Sequence, residues 1–277
     1  MLLGVHCSVS GGLHTAFEEA EKLGIDTFQM FTRNQRQWTP KPLSADEIND
    51  FRTAFGKSKV KIIFSHASYL VNLATSDPKL RHLSVENMTS EVERCHQLGL
   101  AFTVVHPGAL KGQSEEEGIS RIADAVKEIL SATPGSSVKI LFETTAGQGT
   151  SVGWKFEHLR AMLDKTGTTR CGVCFDTCHA FAAGYDIRTR SIFDDTITKF
   201  DKIIGLSNLH AVHLNDSKGD FASRKDRHEH IGKGKIGKDA FRYVMNTFIN
   251  LPKVLETPKD ENWDEVNLGA LRGLLKR

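Results

Sequence analysis

Along this chain, a short β-branched or aromatic run, a polar loop and an amphipathic stretch follow one another again and again. The runs begin near Leu2 (LLGVHCS), Thr27 (TFQMFT), Lys61 (KIIFSHA), Ala101 (AFTVVHP), Val138 (VKILFETT), Gly172 (GVCFDT), Leu209 (LHAVHLND) and Lys253 (KVLETP). Helical periodicity is predicted over 13–24, 44–56, 78–98, 115–131, 156–165, 237–249 and 264–275, with a less regular stretch over 189–204. Asp77 followed by Pro78 supplies a cap and a first-turn residue, and Leu98-Gly99 closes the same helix. Eight parallel βα units predict a single (β/α)8 TIM barrel over residues 1–277, with functional groups at the C-terminal rim of the strands. A doubly wound open sheet is the other arrangement of such units. No G-x-G-x-x-G follows the first run, so dinucleotide binding lacks its usual support.

Composition narrows this little. With 39% hydrophobic and 25% charged residues, the chain is neither disordered nor fibrous as a whole. No apolar run reaches the roughly 18 residues of a membrane span, and MLLGVHCSVSGG has no basic leader, so a cytoplasmic protein with no membrane association is expected. The net charge of +2 decides nothing about polyanions, but Lys218 to Lys238 holds seven basic residues against three acidic ones. That stretch is a candidate phosphate-binding surface, or simply a solvated loop. Five cysteines, an odd count, suit a reducing compartment better than a disulfide framework. Cys171, Cys174 and Cys178 resemble a zinc knuckle in spacing. However, Cys171 and Cys174 would point to opposite faces of a strand, which favours packing for these cysteines.

Candidate chemistry stands at the strand ends. His6, His66, His106, Glu143, Asp176, His213 and Glu256 occupy the last position or two of seven of the eight runs. Alternation puts His106 on the face of Val104 and Phe102, Glu143 on that of Leu141, and Asp176 on that of Cys174 and Gly172, so the interior is apolar below and polar at the top. A lone strand-end histidine is usually structural. Several such groups converging need a compensating charge, because each isolated buried ion costs several kcal/mol. Divalent metal supplies that charge. Two loops add ligand types at short spacing: His179 lies three residues past Asp176, and Asp226-Arg227-His228 is an Asp-x-His pair. His66, His106, Glu143, Asp176, His179, His213, Asp226, His228 and Glu256 exceed the needs of one ion, so two ions, or three with a bridging carboxylate, fit the count. Imidazole and carboxylate without thiolate suit Zn²⁺ first, with Mn²⁺ or Fe²⁺ as substitutes. Clustered ions of this kind lower the pKa of water toward about 7 and clamp both oxygens of an in-line displacement at phosphorus. No G-x-S-x-G elbow or Walker glycine loop competes, and no nucleotide cofactor is expected.

At these residues the chain closely resembles the endonuclease IV family, zinc-dependent apurinic/apyrimidinic endonucleases on a xylose-isomerase-like barrel. The motifs are Phe31-Thr-Arg-Asn-Gln-Arg-Gln-Trp38, His66-Ala-Ser-Tyr-Leu70, Val105-His-Pro-Gly108, Glu143-Thr-Thr-Ala-Gly-Gln-Gly149, Asp176-Thr-Cys-His-Ala-Phe-Ala-Ala-Gly-Tyr-Asp186, His213-Leu-Asn-Asp-Ser-Lys218 and Asp226-Arg-His-Glu-His-Ile-Gly-Lys-Gly-Lys-Ile-Gly237. The resemblance implies three zinc ions. His66, His106 and Glu143 would hold the first, Asp176, His213 and Glu256 the second with Glu143 bridging, and His179, Asp226 and His228 the third. It implies a base-excision-repair hydrolase that cuts duplex DNA 5′ to abasic sites by metal-hydroxide attack, leaving a 3′-hydroxyl and a 5′-deoxyribose phosphate, and that clears blocked 3′ ends. Glu143 would be the catalytic residue, orienting the nucleophile between two ions.

The same resemblance makes Arg36, Tyr69 and Leu70 the DNA-binding residues that enter the base stack at the lesion. An aromatic ring and an apolar wedge can replace lost stacking, and a guanidinium can stack or bind phosphate. Trp38 is expected to anchor its loop. His230, two residues past His228, is a second-ranked ligand, and Lys233, Lys235 and Lys238 stand where family members often carry acidic or neutral residues. The expected partner is duplex DNA with abasic sites or blocked 3′ ends, bound by a monomer. The alternatives are a divalent-metal sugar isomerase or epimerase on the same barrel, and a non-catalytic lesion-binding protein.

Overall fold

Alternating apolar residues on eight short segments give each strand one face for a barrel interior and one for surrounding helices. The computed structural model describes residues 1–39, 41–259 and 262–275. Its barrel strands are β1 (Leu3–Val5), β2 (Thr27–Met30), β3 (Ile62–His66), β4 (Phe102–Val105), β5 (Lys139–Glu143), β6 (Cys171–Asp176), β7 (Leu209–His213) and β8 (Lys253–Leu255). They pair in parallel in the order β1-β8-β7-β6-β5-β4-β3-β2. The ring closes between β1 and β2 through the His6–Gln29 bridge, where the Cys7 N–H donates to the Gln29 carbonyl at 2.8 Å. A Cβ on Gly4 would sit 1.7 Å from the Thr27 carbonyl oxygen, so this close approach requires glycine. The expected (β/α)8 TIM barrel is therefore the observed fold.

Phe64, Phe102, Val104, Leu141, Cys174, Ala211 and Val254 fill the barrel interior, beneath the rim. Alternate residues such as Phe28, Ile63, Phe142 and Phe175 belong to a second core. It packs against α1 (Ala16–Leu23), α2 (Ala45–Lys57), α3 (Pro78–Leu98), α4 (Glu115–Ala132), α5 (Phe156–Thr166), α6 (Thr177–Ala183), α7 (Arg190–Ile203), α8 (Lys238–Thr247) and α9 (Trp263–Arg272). Among the described residues, no helix is long and apolar enough to cross a membrane. The stretch predicted over 13–24 divides into a 3-10 turn at Leu13–Thr15 and then α1, and the one predicted over 264–275 ends at Arg272. The irregular stretch at 189–204 is a helix, α7, with the Thr189 hydroxyl accepting from the Ile192 N–H. The short α6 was not predicted. Its periodicity is too brief to read, and its cap is a residue already counted as a strand end: Asp176 Oδ1 accepts from the His179 N–H at 2.7 Å.

After β7 the chain leaves the barrel and returns in a two-residue antiparallel ribbon, Asp216–Ser217 against His228–Glu229. One buried carboxylate organises this excursion. Asp216 accepts from the N–H groups of Gly232 at 2.9 Å, Gly234 at 3.1 Å and Ile236 at 2.9 Å. A Cβ on Gly234 would meet the Ser217 carbonyl at 2.4 Å, so glycine permits the wrap. On the other side, the Ala222 and Arg224 N–H groups donate to the Phe181 and Ala182 carbonyls of α6. The loop bearing Asp226 and His228 is thus sewn to the helix bearing His179.

Hydrogen exchange checks the role of Asp216. In Asp216→Ala the Gly232, Gly234 and Ile236 amides should lose roughly 3 kcal/mol of protection, since each charge-assisted bond contributes about 1.5–3 kcal/mol. Amides of β5 should be unchanged, and equal protection of the loop in both proteins would refute the assignment.

Candidate metal centre

The strand ends converge on one buried carboxylate. Glu143 closes β5 with no solvent exposure, and Oε2 lies 3.2 Å from both His66 Nε2 and His106 Nε2. Its other oxygen lies 3.0 Å from His213 Nδ1 and 3.1 Å from His179 Nδ1. Outward on one side, His213 Nδ1 is 3.0 Å from Glu256 Oε2 and 3.8 Å from Asp176 Oδ2. On the other, Asp226 Oδ1 is 3.1 Å from His179 Nε2 and 3.4 Å from His228 Nε2. Three groups capable of holding a cation result: His66, His106 and Glu143; Glu143, Asp176, His213 and Glu256; and His179, Asp226 and His228. A fourth combination, Asp176, Cys178 and His228, overlaps them.

The hydrogen bonds behind these residues test whether they suit a metal. His66 Nδ1 lies 2.7 Å from the Ala67 carbonyl and His228 Nδ1 3.0 Å from the Glu256 carbonyl. A carbonyl only accepts, so each Nδ1 carries the proton and each Nε2 lone pair faces the cluster, as metal-ligating imidazoles are usually held. His179 Nε2 and His228 Nε2 face each other at 3.3 Å beside Asp226. His213 Nδ1 faces oxygens of three carboxylates. Bare lone pairs cannot be gathered so closely; a proton or a cation must lie among them, and the donor set fits the cation.

Electrostatics agrees. Burial opposes ionisation of Glu143, but His213 and His106 hold its carboxyl well below the usual range. Burial likewise opposes protonation of His179 and His213. Asp176 and Asp226 nevertheless raise His179 well above its ordinary value, and Cys174, Glu256 and Glu143 do the same for His213. Burial drives His6 down to about 3, leaving it neutral, and pushes the Cys171, Cys174 and Cys178 thiols up to about 11, 12 and 12. A protonated thiol is not a ligand, which agrees with a packing role.

All nine expected ligand residues therefore meet at the mouth. His230 does not: its ring stacks on Trp263 at 4.0 Å, and Asn267 Nδ2 lies 3.2 Å from its Nδ1. Tyr69 is 64% exposed, with its ring 5.3 Å from that of His66, and Arg36 is exposed on the loop after β2. That loop is pinned to α3, where Asn87 donates to the Trp38 carbonyl at 2.8 Å and Arg94 Nη1 to that of Lys41 at 3.0 Å. Tyr69, Leu70, His106, Gln148, His179 and Asp226 help to line a depression of 380 Å³. A larger cavity of 590 Å³ lies at the opposite end of the barrel, by Leu3, Asp26 and Val60, away from this chemistry. In the basic stretch, Lys218 pairs with Glu229, Lys235 with Asp220, and Arg224 lies 3.9 Å above the Trp154 ring, so part of its charge is locally engaged.

Two residues of the site escaped the sequence reading. Asn215 donates to Asp176 Oδ2 at 2.6 Å and accepts from the Glu256 N–H at 2.9 Å, tying two of the expected ligand residues together. Gln29 takes the inward rim position of β2 and reaches His6, His213 and Glu256. Neither bears a charge, so a search for acids and imidazoles passes over both. The signal that would have found Gln29 is its place at the rim of the one run without a histidine or an acid.

Comparison with known proteins supports the same conclusion. The family model of the xylose isomerase-like TIM barrel matches residues 17–276. A Chloroflexus aggregans protein described as a probable endonuclease 4 is 45% identical over 278 residues, covering 99% of this chain and 97% of that protein. A Geotalea daltonii protein of the same description is 45% identical over 280 residues, covering 99% and 98%. The crystal structure of endonuclease IV from Thermus thermophilus matches with a TM-score of 0.88 and 34% identity, covering 99% of this chain and 98% of that one. With ring, rim and full-length relatives in accord, the chain belongs to the endonuclease IV family of xylose isomerase-like TIM barrels.

Proposed function

We propose that this protein is a zinc-dependent endonuclease that hydrolyses duplex DNA on the 5′ side of abasic sites and also removes groups blocking 3′ ends. The carrying observation is the sharing of Glu143 among adjoining ligand groups beside an exposed aromatic residue. His66, His106 and Glu143 would hold one zinc ion; Asp176, His213 and Glu256, with Glu143 bridging, a second; His179, Asp226 and His228 a third. When bound, the ions supply positive charge for the phosphate and the departing oxygen, and acidify a water toward a pKa of about 7. In the hydrolysis, water oxygen bonds to phosphorus, the P–O3′ bond breaks, one water proton ends on O3′ and the phosphate stays on the deoxyribose.

The chain's own residues hold and orient. Glu143 is fixed on both oxygens by imidazoles, so it cannot turn away from the reacting phosphate, and its role is orientation rather than free proton abstraction. Arg36, Tyr69 and Leu70 enter the base stack at the lesion, filling the space left when the deoxyribose is extruded. An open mouth edged by these side chains suits a duplex better than the enclosed pocket a sugar isomerase needs.

Glu143→Ala and His179→Ala should each lower incision of an abasic duplex by about 1,000-fold or more. Affinity for an uncut analogue should change less than about fivefold, because backbone contacts dominate it. Near-normal turnover in either purified variant would sink the site. Tyr69→Ala should reduce discrimination between abasic and intact duplex by about 10- to 100-fold in a binding titration, the worth of one stacking contact; undiminished discrimination would remove its role. Raised His179 and His213 place protons in competition with metal, so zinc affinity should fall as pH falls. A chromogenic chelator should capture zinc faster at about pH 5 than at about pH 8, and incision should return on neutralisation with added zinc. Release independent of pH would count against these histidines as ligands.

A further inference from the structure

β2 is the one barrel strand whose rim carries neither a histidine nor an acid; the inward position is Gln29. Phe28 and Met30, its neighbours on the strand, join the outer core, so alternation directs Gln29 toward the mouth, where it is wholly buried. A buried primary amide is costly unless its hydrogen bonds are made. Gln29 Nε2 donates to Glu256 Oε1 at 2.5 Å and lies 2.9 Å from His6 Nδ1, while Oε1 is 2.8 Å from His213 Nε2.

This set has one consistent assignment. Turning the amide over would press its oxygen against Glu256 Oε1, acceptor against acceptor, so Glu256 fixes the amide nitrogen on its own side. Oε1 then faces His213, and an amide oxygen can only accept, so His213 Nε2 must carry a proton and donate it. The other ring nitrogen, Nδ1, faces Glu143 Oε1 at 3.0 Å, Glu256 Oε2 at 3.0 Å and Asp176 Oδ2 at 3.8 Å. Among the described residues, no backbone carbonyl takes this part for His213, as the Ala67 and Glu256 carbonyls do for His66 and His228.

We propose that Gln29 is the positioning residue of the Glu143–Asp176–His213–Glu256 group: it holds His213 in the Nε2–H tautomer with Nδ1 presented to the cation, and steadies Glu256 beside it. A neutral amide is suited to this place because it accepts from one ligand and donates to the next. A carboxylate would repel Glu256, and an aliphatic side chain would leave the imidazole free to flip. The proposal rests on the metal reading given above and goes beyond it by assigning which residue sets the second group's ligand geometry.

Two measurements test it. In the nitrogen-15-labelled, zinc-loaded protein, His213 should show Nε2 protonated and Nδ1 shifted by ligation; a proton on Nδ1, or ligation through Nε2, overturns the proposal. Gln29→Met keeps similar bulk and loses every side-chain hydrogen bond. Competition with a chromogenic chelator should then give one zinc equivalent bound about 10- to 100-fold more weakly, the usual effect of removing a residue that orients a metal ligand. Incision lost at limiting zinc should return at saturating zinc. If wild-type protein binds no zinc, the metal reading fails and this one with it. If Gln29→Met binds all its zinc as tightly as wild type, Gln29 alone loses its role. Should Gln29→Met not fold, the wild-type nitrogen spectrum decides the matter by itself.

Discussion

A carboxylate with no solvent contact, gripped on both oxygens by imidazoles from four different segments, is the constraint from which the rest of this protein follows. Glu143 sits at the end of β5, and the contacts on its oxygens come from β3, the residue after β4, α6 and β7. Such an ion is tolerated only where compensating charge is assembled around it to within a few tenths of an ångström. A closed ring of parallel strands achieves this, because every strand ends at the same mouth and each contributes one side chain there.

The barrel supplies only part of the cluster. His66, His106, Glu143, Asp176, His213 and Glu256 stand on, or one residue beyond, hydrogen-bonded strands, but Asp226 and His228 ride on an excursion outside the ring. That excursion is tied down by local hydrogen bonds. Asp216 gathers three amides on one side, and the end of α6 accepts two more on the other. Asp176 links the two parts, ending β6 and capping the helix that carries His179. Displacing one of these ties would disturb members of the cluster on both sides of Glu143.

Much of this was legible in the sequence. The strand runs and the inward faces of strands four to six follow from period-two alternation, six of the nine histidines and acids from charge at strand ends, and His179, Asp226 and His228 from short spacings in two loops. These are features that a single residue type announces. The short α6 was hidden because seven residues carry too little periodicity and its cap, Asp176, reads as the end of a strand. Gln29 and Asn215 were hidden because amides bear no charge, and their importance lies in which partners they meet across the ring. His230 shows the converse: spacing made it a rival to His228, yet a stacked Trp263, 33 residues further along the chain, turns it away. Within the basic stretch, Glu229 and Asp220, both already set against its seven cations in the sequence, pair with Lys218 and Lys235.

Under the mouth, Phe64, Phe102, Val104, Leu141, Cys174, Ala211 and Val254 close the barrel with hydrocarbon and a thiol. A floor with so few permanent dipoles does little to screen the charges above it, so their field is directed outward through the mouth instead of being damped within the barrel. With divalent cations outweighing the four carboxylates of the mouth, a chain whose formal charge is only +2 would in this way present a locally intense potential to a polyanion.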